Sequence, residues 1–142
     1  MSMKASVLFT SCLISILLVN QPLFAGQDIE KPAIAAAEAW LSLVDEGNYL
    51  ESWQAGATYF KNAVTQDQWM QSTVAFRKPL GKTLSRKLMS AKYATTLPGA
   101  PDGEYVVIQY QTSFENKLSA VETVTPVIDK NGSWRVSGYY IK

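Results

Sequence analysis

The sequence predicts an α+β domain in which N-terminal helices pack on a curved antiparallel sheet. Two observations carry this prediction. Up to Gly81 the apolar residues recur at helical spacing, whereas beyond it they alternate with polar ones and Thr, Val and Tyr become frequent. Helices that precede a run of strands, instead of alternating with them, are typical of α+β domains. We therefore expect the helices to cover one face of the sheet.

Residues 1–25 have the layout of a cleavable signal peptide. Lys4 provides a positive start, residues 5–19 form an apolar core, and Ala25 is a small residue at a plausible cleavage point. A membrane anchor needs about 20 apolar residues, and this core is shorter and is followed by polar residues and a proline. We predict cleavage near Ala25, export to the periplasm or the extracellular space, and no transmembrane anchor in the mature chain. Residues 26–142 are then a single domain.

The first helix of that domain is predicted from Pro32, which suits a first turn, to a stop at Gly47. Its apolar face consists of Ala33, Ala36, Ala37, Trp40, Leu41 and Val44. These positions follow the i, i+3, i+4, i+7 spacing of one helix face. The helix should therefore pack against the sheet along this face.

Two further helices are predicted before the sheet. Asn48 is a good cap for the second helix, which carries apolar residues over residues 49–60. The third helix begins with a capping box of Thr65 and Gln68 and continues to Phe76. The second helix directly follows the first after a tight turn.

Four strands follow the helices. They are predicted at residues 83–97, 104–114, 119–128 and 134–141. A turn cluster rich in Pro and Gly separates the first two. Asn131-Gly132, between the last two, is a signal for a type I′ hairpin turn. The strands should therefore form an antiparallel meander.

The chain has no histidine, and its one cysteine, Cys12, lies in the predicted signal peptide. The mature chain therefore lacks the groups needed for Ser-His-Asp or Cys-His catalysis, for zinc sites built from His or Cys, and for iron–sulfur centres. Gly81-Lys82-Thr83 matches the end of a phosphate-binding loop. That loop also requires a glycine at position 76, where this chain has Phe76. The formal net charge of +1 gives no general attraction to nucleic acid. We predict no metal, no cofactor and no nucleic-acid partner.

Glu122 is the acidic residue that the pattern places on an apolar strand face. It shares strand parity with Leu118, Ala120, Val124 and Ile128. A carboxylate there must be paired or protonated, because an unpaired buried charge is costly. The interpretation we favour is a structural ion pair, with Arg77, Arg86 and Arg135 as candidates. The alternative is a general acid or base, or a polar anchor, in a pocket.

The chain is also rich in aromatic residues, most of which must build the core. Those with a polar end could instead line a cavity for a flat apolar ligand. The candidates for such a pocket are Trp53, Trp69, Tyr93, Tyr110, Glu122 and Tyr139. A small apolar or aromatic molecule is the ligand class they suggest.

A basic strip runs from Gln68 to Pro101 without an acidic residue. It contains Arg77, Lys78, Lys82, Arg86, Lys87 and Lys92. It could contact anionic lipid headgroups, or it could be a solvated strand face whose lysines discourage edge pairing. We favour the solvated face, because the residues do not share one strand parity and the total charge is balanced.

The order of specific residues resembles one known family along nearly the whole mature chain. The residues that carry the resemblance are Trp40, Asp45-x-Gly47-x-Tyr49, Ser52-Trp53, Phe60, Trp69, Arg77-x-Pro79-Leu80-Gly81, Arg86, Leu97-Pro98-Gly99-x-Pro101-Asp102-Gly103-Glu104-Tyr105, Phe114, Glu122 and Trp134-Arg135-Val136-x-Gly138-Tyr139-Tyr140-Ile141. They are similar to the DUF4019 family of small exported bacterial proteins. That family has no assigned activity, so the resemblance implies export but no reaction.

The order of helices and strands also resembles the NTF2-like (cystatin-like) cone, in which a curved sheet wraps a long helix and leaves a pocket. This resemblance implies a cavity, and a homodimer through the open sheet face. Enzymes of that fold, such as ketosteroid isomerase, use Asp, Tyr or His in the pocket, and this chain has no His. We therefore expect a non-enzymatic domain that binds a small molecule or a partner. The alternatives are an isomerase-like or dehydratase-like enzyme using Glu122 and a tyrosine hydroxyl, and an envelope-associated module binding headgroups through the basic strip.

Overall fold

A computed structural model describes the backbone of residues 25–142 and the side chains from Ile29 onward. Nearly all of the predicted signal peptide lies outside these residues. The helices are α1 (Ala25–Asp45), α2 (Tyr49–Gln54), α3 (Thr58–Ala63) and α4 (Gln66–Phe76), followed by a single 3-10 turn (Lys78–Leu80). The strands are β1 (Thr83–Ala94), β2 (Tyr105–Phe114), β3 (Lys117–Ile128) and β4 (Trp134–Ile141). The predicted α+β class is confirmed.

The four strands form one antiparallel meander in the order β1-β2-β3-β4. The long helix α1 contacts all four strands. The core therefore lies between the helices and one face of the sheet, which we call the inner face. On β2 this face carries the alternate buried residues Val106, Ile108, Tyr110, Thr112 and Phe114. The other face, here called the outer face, carries Gln109, Gln111 and Ser113.

The apolar face predicted for α1 is confirmed, but the predicted start is wrong. Ala33, Ala37, Trp40 and Leu41 are all buried. Within the described residues the helix extends back to Ala25, so Pro32 lies inside it and not in its first turn. Proline removes one N–H from the helix ladder, and a long helix that packs against a sheet can absorb that loss.

The second predicted helix, over residues 49–60, is in fact two short helices. The break lies at Ala57, whose N–H donates to the carbonyl oxygen of Val136 at 2.8 Å and so joins the chain to β4. Asp129 then caps α3, because its Oδ2 accepts from the backbone N of Thr58 at 2.9 Å and from its hydroxyl at 3.0 Å. Both partners are distant in sequence, so local periodicity could not reveal the break.

The capping box of α4 is confirmed. The Thr65 hydroxyl accepts from the N–H of Gln68 at 3.2 Å, and the N–H of Thr65 donates to Gln68 Oε1 at 3.0 Å. Two of the N–H groups that a helix start leaves unpaired are thereby satisfied. The predicted first residue of the helix is therefore correct.

The turn between β3 and β4 differs from the predicted type I′ hairpin. The N–H of Gly132 donates to the Asp129 carbonyl at 2.8 Å, and Gly132 has a φ of 81°. A type I′ turn needs a positive φ at both central residues, and Asn131 does not have one. Instead, Asn131 uses its side chain to accept from the N–H of Ser133 at 3.0 Å. The hairpin itself is confirmed.

Two bulges interrupt the pairing of β1 with β2. The extra residues are Leu84 and Met89. Because Met89 adds one residue, Lys87 and Lys92 both lie on the outer face although they are five positions apart. Their partners on β2 are Gln111 and Val107 respectively. The parity argument against the basic strip therefore does not hold for these two lysines.

Candidate functional site

Glu122 is fully buried on the inner face of β3 and is surrounded by hydrogen-bond donors. Arg86 donates to it from Nε at 2.7 Å and from Nη2 at 3.2 Å. The hydroxyl of Thr112 donates at 2.5 Å, and the hydroxyl of Tyr139 donates to the other carboxylate oxygen. The register explains this convergence, because Tyr139 and Thr112 lie on the strands that flank Glu122.

Arg86 extends this arrangement to the end of α1. It donates to the two carboxylate oxygens of Asp45 at 2.7 and 2.9 Å. Asp45 also accepts from the hydroxyl of Thr83 at 2.9 Å and from Arg77 Nη2 at 3.3 Å. Asp45, Arg77, Arg86 and Glu122 thus form one largely buried ion-pair network of two arginines and two acidic residues.

Arg77 is only 2% exposed and is held at the C-terminal end of α4. It donates to the Gly81 carbonyl at 2.6 Å and to the Thr83 hydroxyl at 3.1 Å, and its guanidinium lies 4.6 Å from the ring centre of Phe114. The carbonyl end of a helix favours a positive charge, as does the face of an aromatic ring. Within residues 29–142 its Nε has no hydrogen-bond partner.

The network shifts the pKa of Asp45 and of Tyr139, which donates to Glu122. Burial alone would raise the pKa of Asp45, but the hydrogen bonds and charge of Arg86, with Thr83 and Arg77, outweigh burial and lower it below the usual 3.8. Burial and the nearby Glu122 carboxylate raise the pKa of Tyr139 far above its ordinary range. At neutral pH Asp45 is therefore ionised, and Tyr139 keeps the proton that it donates to Glu122.

The structure places the three candidate arginines differently. Arg86 pairs with Glu122. Arg77 pairs with Asp45. Arg135 is a distant partner of Asp129, with 4.0 Å between Nε and Oδ2. The predictions did not include Asp45 as a member of the network, although its position four residues after buried Leu41 puts it near the same helix face.

Most of the predicted pocket residues build the core. Trp69 lies 5.8 Å from Trp40 and 5.1 Å from Phe60 between ring centres, and Tyr139 lies 5.2 Å from Trp40. These rings fill the space between the helices and the sheet, where a cone-shaped fold would hold its ligand. Neither Trp69 nor Tyr139 lines the four surface pockets that we describe for residues 29–142.

The other pocket candidates are dispersed, and they too are absent from the linings of those four pockets. The indole of Trp53 donates to the Val64 carbonyl at 2.8 Å. Tyr93 is exposed at the edge of the sheet, and its hydroxyl donates to Glu104 at 3.1 Å. Tyr110 is buried, its hydroxyl has no partner within the described side chains, and burial raises its pKa to about 12. Together, the six candidates are absent from the linings of the four pockets described for residues 29–142.

A groove of about 440 Å³ lies between α1 and β4. Its lining consists of Ala36, Ala39, Trp40, Leu43, Ala55, Ser133, Trp134, Arg135 and Val136. Small alanine side chains on α1 leave this space, and two tryptophans border it. The indole N–H of Trp40 is already bound to the Ser52 carbonyl at 2.8 Å, so the ring presents apolar surface.

Arg135 borders both the groove and the adjacent pocket that contains Asp129. Its side chain is partly exposed, and its ion pair with Asp129 is long. The Asp129 carboxylate is already used by the N–H groups of Thr58 and Lys130. By the register, the Arg135 side chain alternates with those of Trp134 and Val136, and its guanidinium lies towards Asp129, which is not part of the groove lining.

Within residues 29–142, the Asp and Glu side chains form no group of three or more that could hold a metal ion. Among the helices of the described chain, none is long and apolar enough to cross a membrane. A family model described as "Protein of unknown function (DUF4019)" matches residues 36–139. Neither the curated proteins nor the solved structures contain a match.

Proposed function

Because the chain belongs to the DUF4019 family, whose function is unknown, we propose a function from its own geometry: an exported, non-enzymatic domain that binds a small apolar or aromatic molecule. The observation that carries this proposal is the apolar groove between α1 and β4. Ligand sites are typically concave and mainly apolar, with a few polar groups that orient the ligand. The tryptophans supply flat apolar surface, and Ser133 is a polar residue of the lining.

In this proposal the domain has the shape of an NTF2-like cone, but its ligand does not bind in the centre of the cone. Helices on the inner face of a bulged antiparallel sheet support the cone, since bulges bend strands. The aromatic core occupies its centre. The ligand therefore binds at the side of the cone, between the long helix and the last strand.

Native mass spectrometry of the mature protein, extracted from its own cell envelope, tests this proposal. We expect a copurifying small molecule, and the same spectrum reports a homodimer or a partner protein. The variant Ala39→Leu adds volume inside the groove, whereas Ala35→Leu adds it to an exposed position of α1 outside the lining. Only Ala39→Leu should lose the bound mass. A protein without bound mass, or equal retention by both variants, contradicts the proposal.

The geometry of Glu122 favours a structural role over proton transfer. The carboxylate contacts a tyrosine hydroxyl, as an isomerase-like enzyme requires, but it is fully buried and bound twice by Arg86. A general acid or base must reach its substrate within hydrogen-bond distance. The four pockets described for residues 29–142 are not lined by Glu122. We therefore do not propose the enzymatic alternative.

A further inference from the structure

We propose that the free edge of β1 docks an extended segment of another protein, in which apolar and acidic residues alternate, as a fifth strand of the sheet. This interaction is separate from the groove between α1 and β4. It depends on the backbone edge, on the exposed side chains of β1 and on their charge.

The first argument is the open edge. β1 has 12 residues and is the first strand in the order of the sheet, so within residues 25–142 only β2 pairs with it. Such an edge presents unpaired N–H and C=O groups that can bind another strand. Main-chain hydrogen bonds provide affinity in strand addition, and alternate side chains provide specificity.

The second argument is the distribution of exposed apolar side chains. Leu88 and Tyr93 lie on the inner face opposite Tyr110 and Val106, yet they are 44% and 39% exposed, because the helices cover this edge only in part. Met89, the bulged residue, is 54% exposed. Apolar residues of an added strand would extend the inner-face core past Leu88 and Tyr93.

The third argument is charge. Lys87 and Lys92 both point to the outer face, because the bulge at Met89 restores their common side. Arg86 is already committed to Asp45 and Glu122, so these exposed lysines supply the available positive charge of β1. Acidic residues of an added strand would lie beside them on the outer face.

The charge of the same lysines indicates which kind of partner can bind. A second copy of the chain would bring the same positive row to the edge, and like charges on paired strands repel. Bulges also make an edge a poor match for an arbitrary strand. Edge lysines are a common defence against self-association. These lysines repel a positively charged strand but attract a segment of opposite charge, so we infer an acidic partner.

The test uses fluorescence anisotropy with the chain and a strand-length labelled peptide that alternates glutamate with valine or threonine. The control peptide replaces each glutamate with lysine. We expect binding of the acidic peptide only, and weaker binding as salt rises. The double variant Lys87→Glu/Lys92→Glu should lower the affinity at least about tenfold, which corresponds to about 1.4 kcal/mol.

The matched control is Lys31→Glu/Lys130→Glu, which makes the same change in net charge at exposed positions outside β1. It should bind the acidic peptide as well as the native chain does, and circular dichroism checks that both variants are folded. Amide hydrogen exchange should show new protection in β1 and not in β4.

Four results would overturn the proposal. They are equal binding of the lysine peptide, equal loss in the two double variants, protection at β4, and a homodimer that the β1 variant alone disrupts. Binding to vesicles that contain phosphatidylglycerol, without binding of the acidic peptide, would also reject it in favour of a headgroup surface.

Discussion

Glu122 shows how a charge can be accommodated inside this core. Its carboxylate receives donors from Arg86, Thr112 and Tyr139. Strand parity was sufficient to predict that Glu122 points inward. It could not select Arg86 among three arginines, because the choice depends on the pairing of β1 with β2. The contact with Asp45 depends further on where α1 crosses the sheet.

The first prediction concerns Glu122→Gln. The substitution keeps the shape of the side chain but removes the negative charge, and its NH2 group must face donors of Arg86 or Tyr139. Removal of one partner from a buried ion pair costs about 3–5 kcal/mol. We expect the free energy of unfolding in urea to fall by about this amount. The exposed control Glu51→Gln should change it by less than about 0.5 kcal/mol. A similar small change at Glu122 would mean that its charge is not required for stability.

The second prediction concerns pH. The lowered pKa of Asp45 in the folded state means that this group stabilises the protein above its unfolded pKa of about 3.9. That contribution is lost as pH falls through the lower pKa of the folded state. The variant Asp45→Asn should therefore be less stable than the native chain at pH 7, and the difference should decrease below about pH 4.

Urea unfolding of both proteins at pH 7, 5 and 3 measures this difference. Comparison of the two proteins at each pH removes the effect of the other carboxylates. A difference that is constant across this range would show that the Asp45 charge does not contribute.

At the scale of single elements, local signals were reliable where the cause is local. The capping box correctly predicted the start of α4, and the alternation of apolar and polar residues correctly predicted β4. The break between α2 and α3 and the bulge at Met89 were missed. The first depends on Val136 and Asp129, which are distant in sequence, and the second on pairing with β2.

The capping box supplies a prediction at this scale. Thr65→Ala removes the side-chain acceptor for the N–H of Gln68, whereas Thr65→Ser keeps a hydroxyl there. We expect the alanine variant to lose about 1 kcal/mol of unfolding free energy. The serine variant should stay near the native value in the same thermal or urea measurement. Equal losses would indicate that the threonine methyl group, and not the cap, is important.

At the scale of the whole molecule, the helices and the sheet were predictable but the groove was not. The α+β class follows from the change in periodicity at Gly81. The groove exists because Ala36 and Ala39 are small where α1 approaches Trp134. A sequence pattern shows which side chains are present, whereas a groove depends on the space that they leave across the fold. The aromatic candidates were chosen because they have a polar end, but Trp69, Tyr110 and Tyr139 pack in or against the core.

The order of the strands predicts how stability is distributed. β2 and β3 each have a strand on both sides, whereas β1 is an edge whose side chains are largely exposed. Regions with few buried contacts open locally at lower free energy. We expect native-state hydrogen exchange to be slowest in β2 and β3 and faster in β1. Equal protection of β1 and β2 in the purified protein would contradict this, or would show that the edge is already covered.

The contact between Asp129 and Thr58 has a consequence for the order of folding. The N-cap of α3 is Ala57, which has no side-chain acceptor, and the six-residue helix takes its cap from a turn 71 residues away. A helix this short is unstable alone. It should therefore form only after β3 and β4 have closed their hairpin, late on the folding path. Asp129→Ala should accordingly speed unfolding and leave the folding rate nearly unchanged, so this helix depends on a turn that is made much later in the sequence.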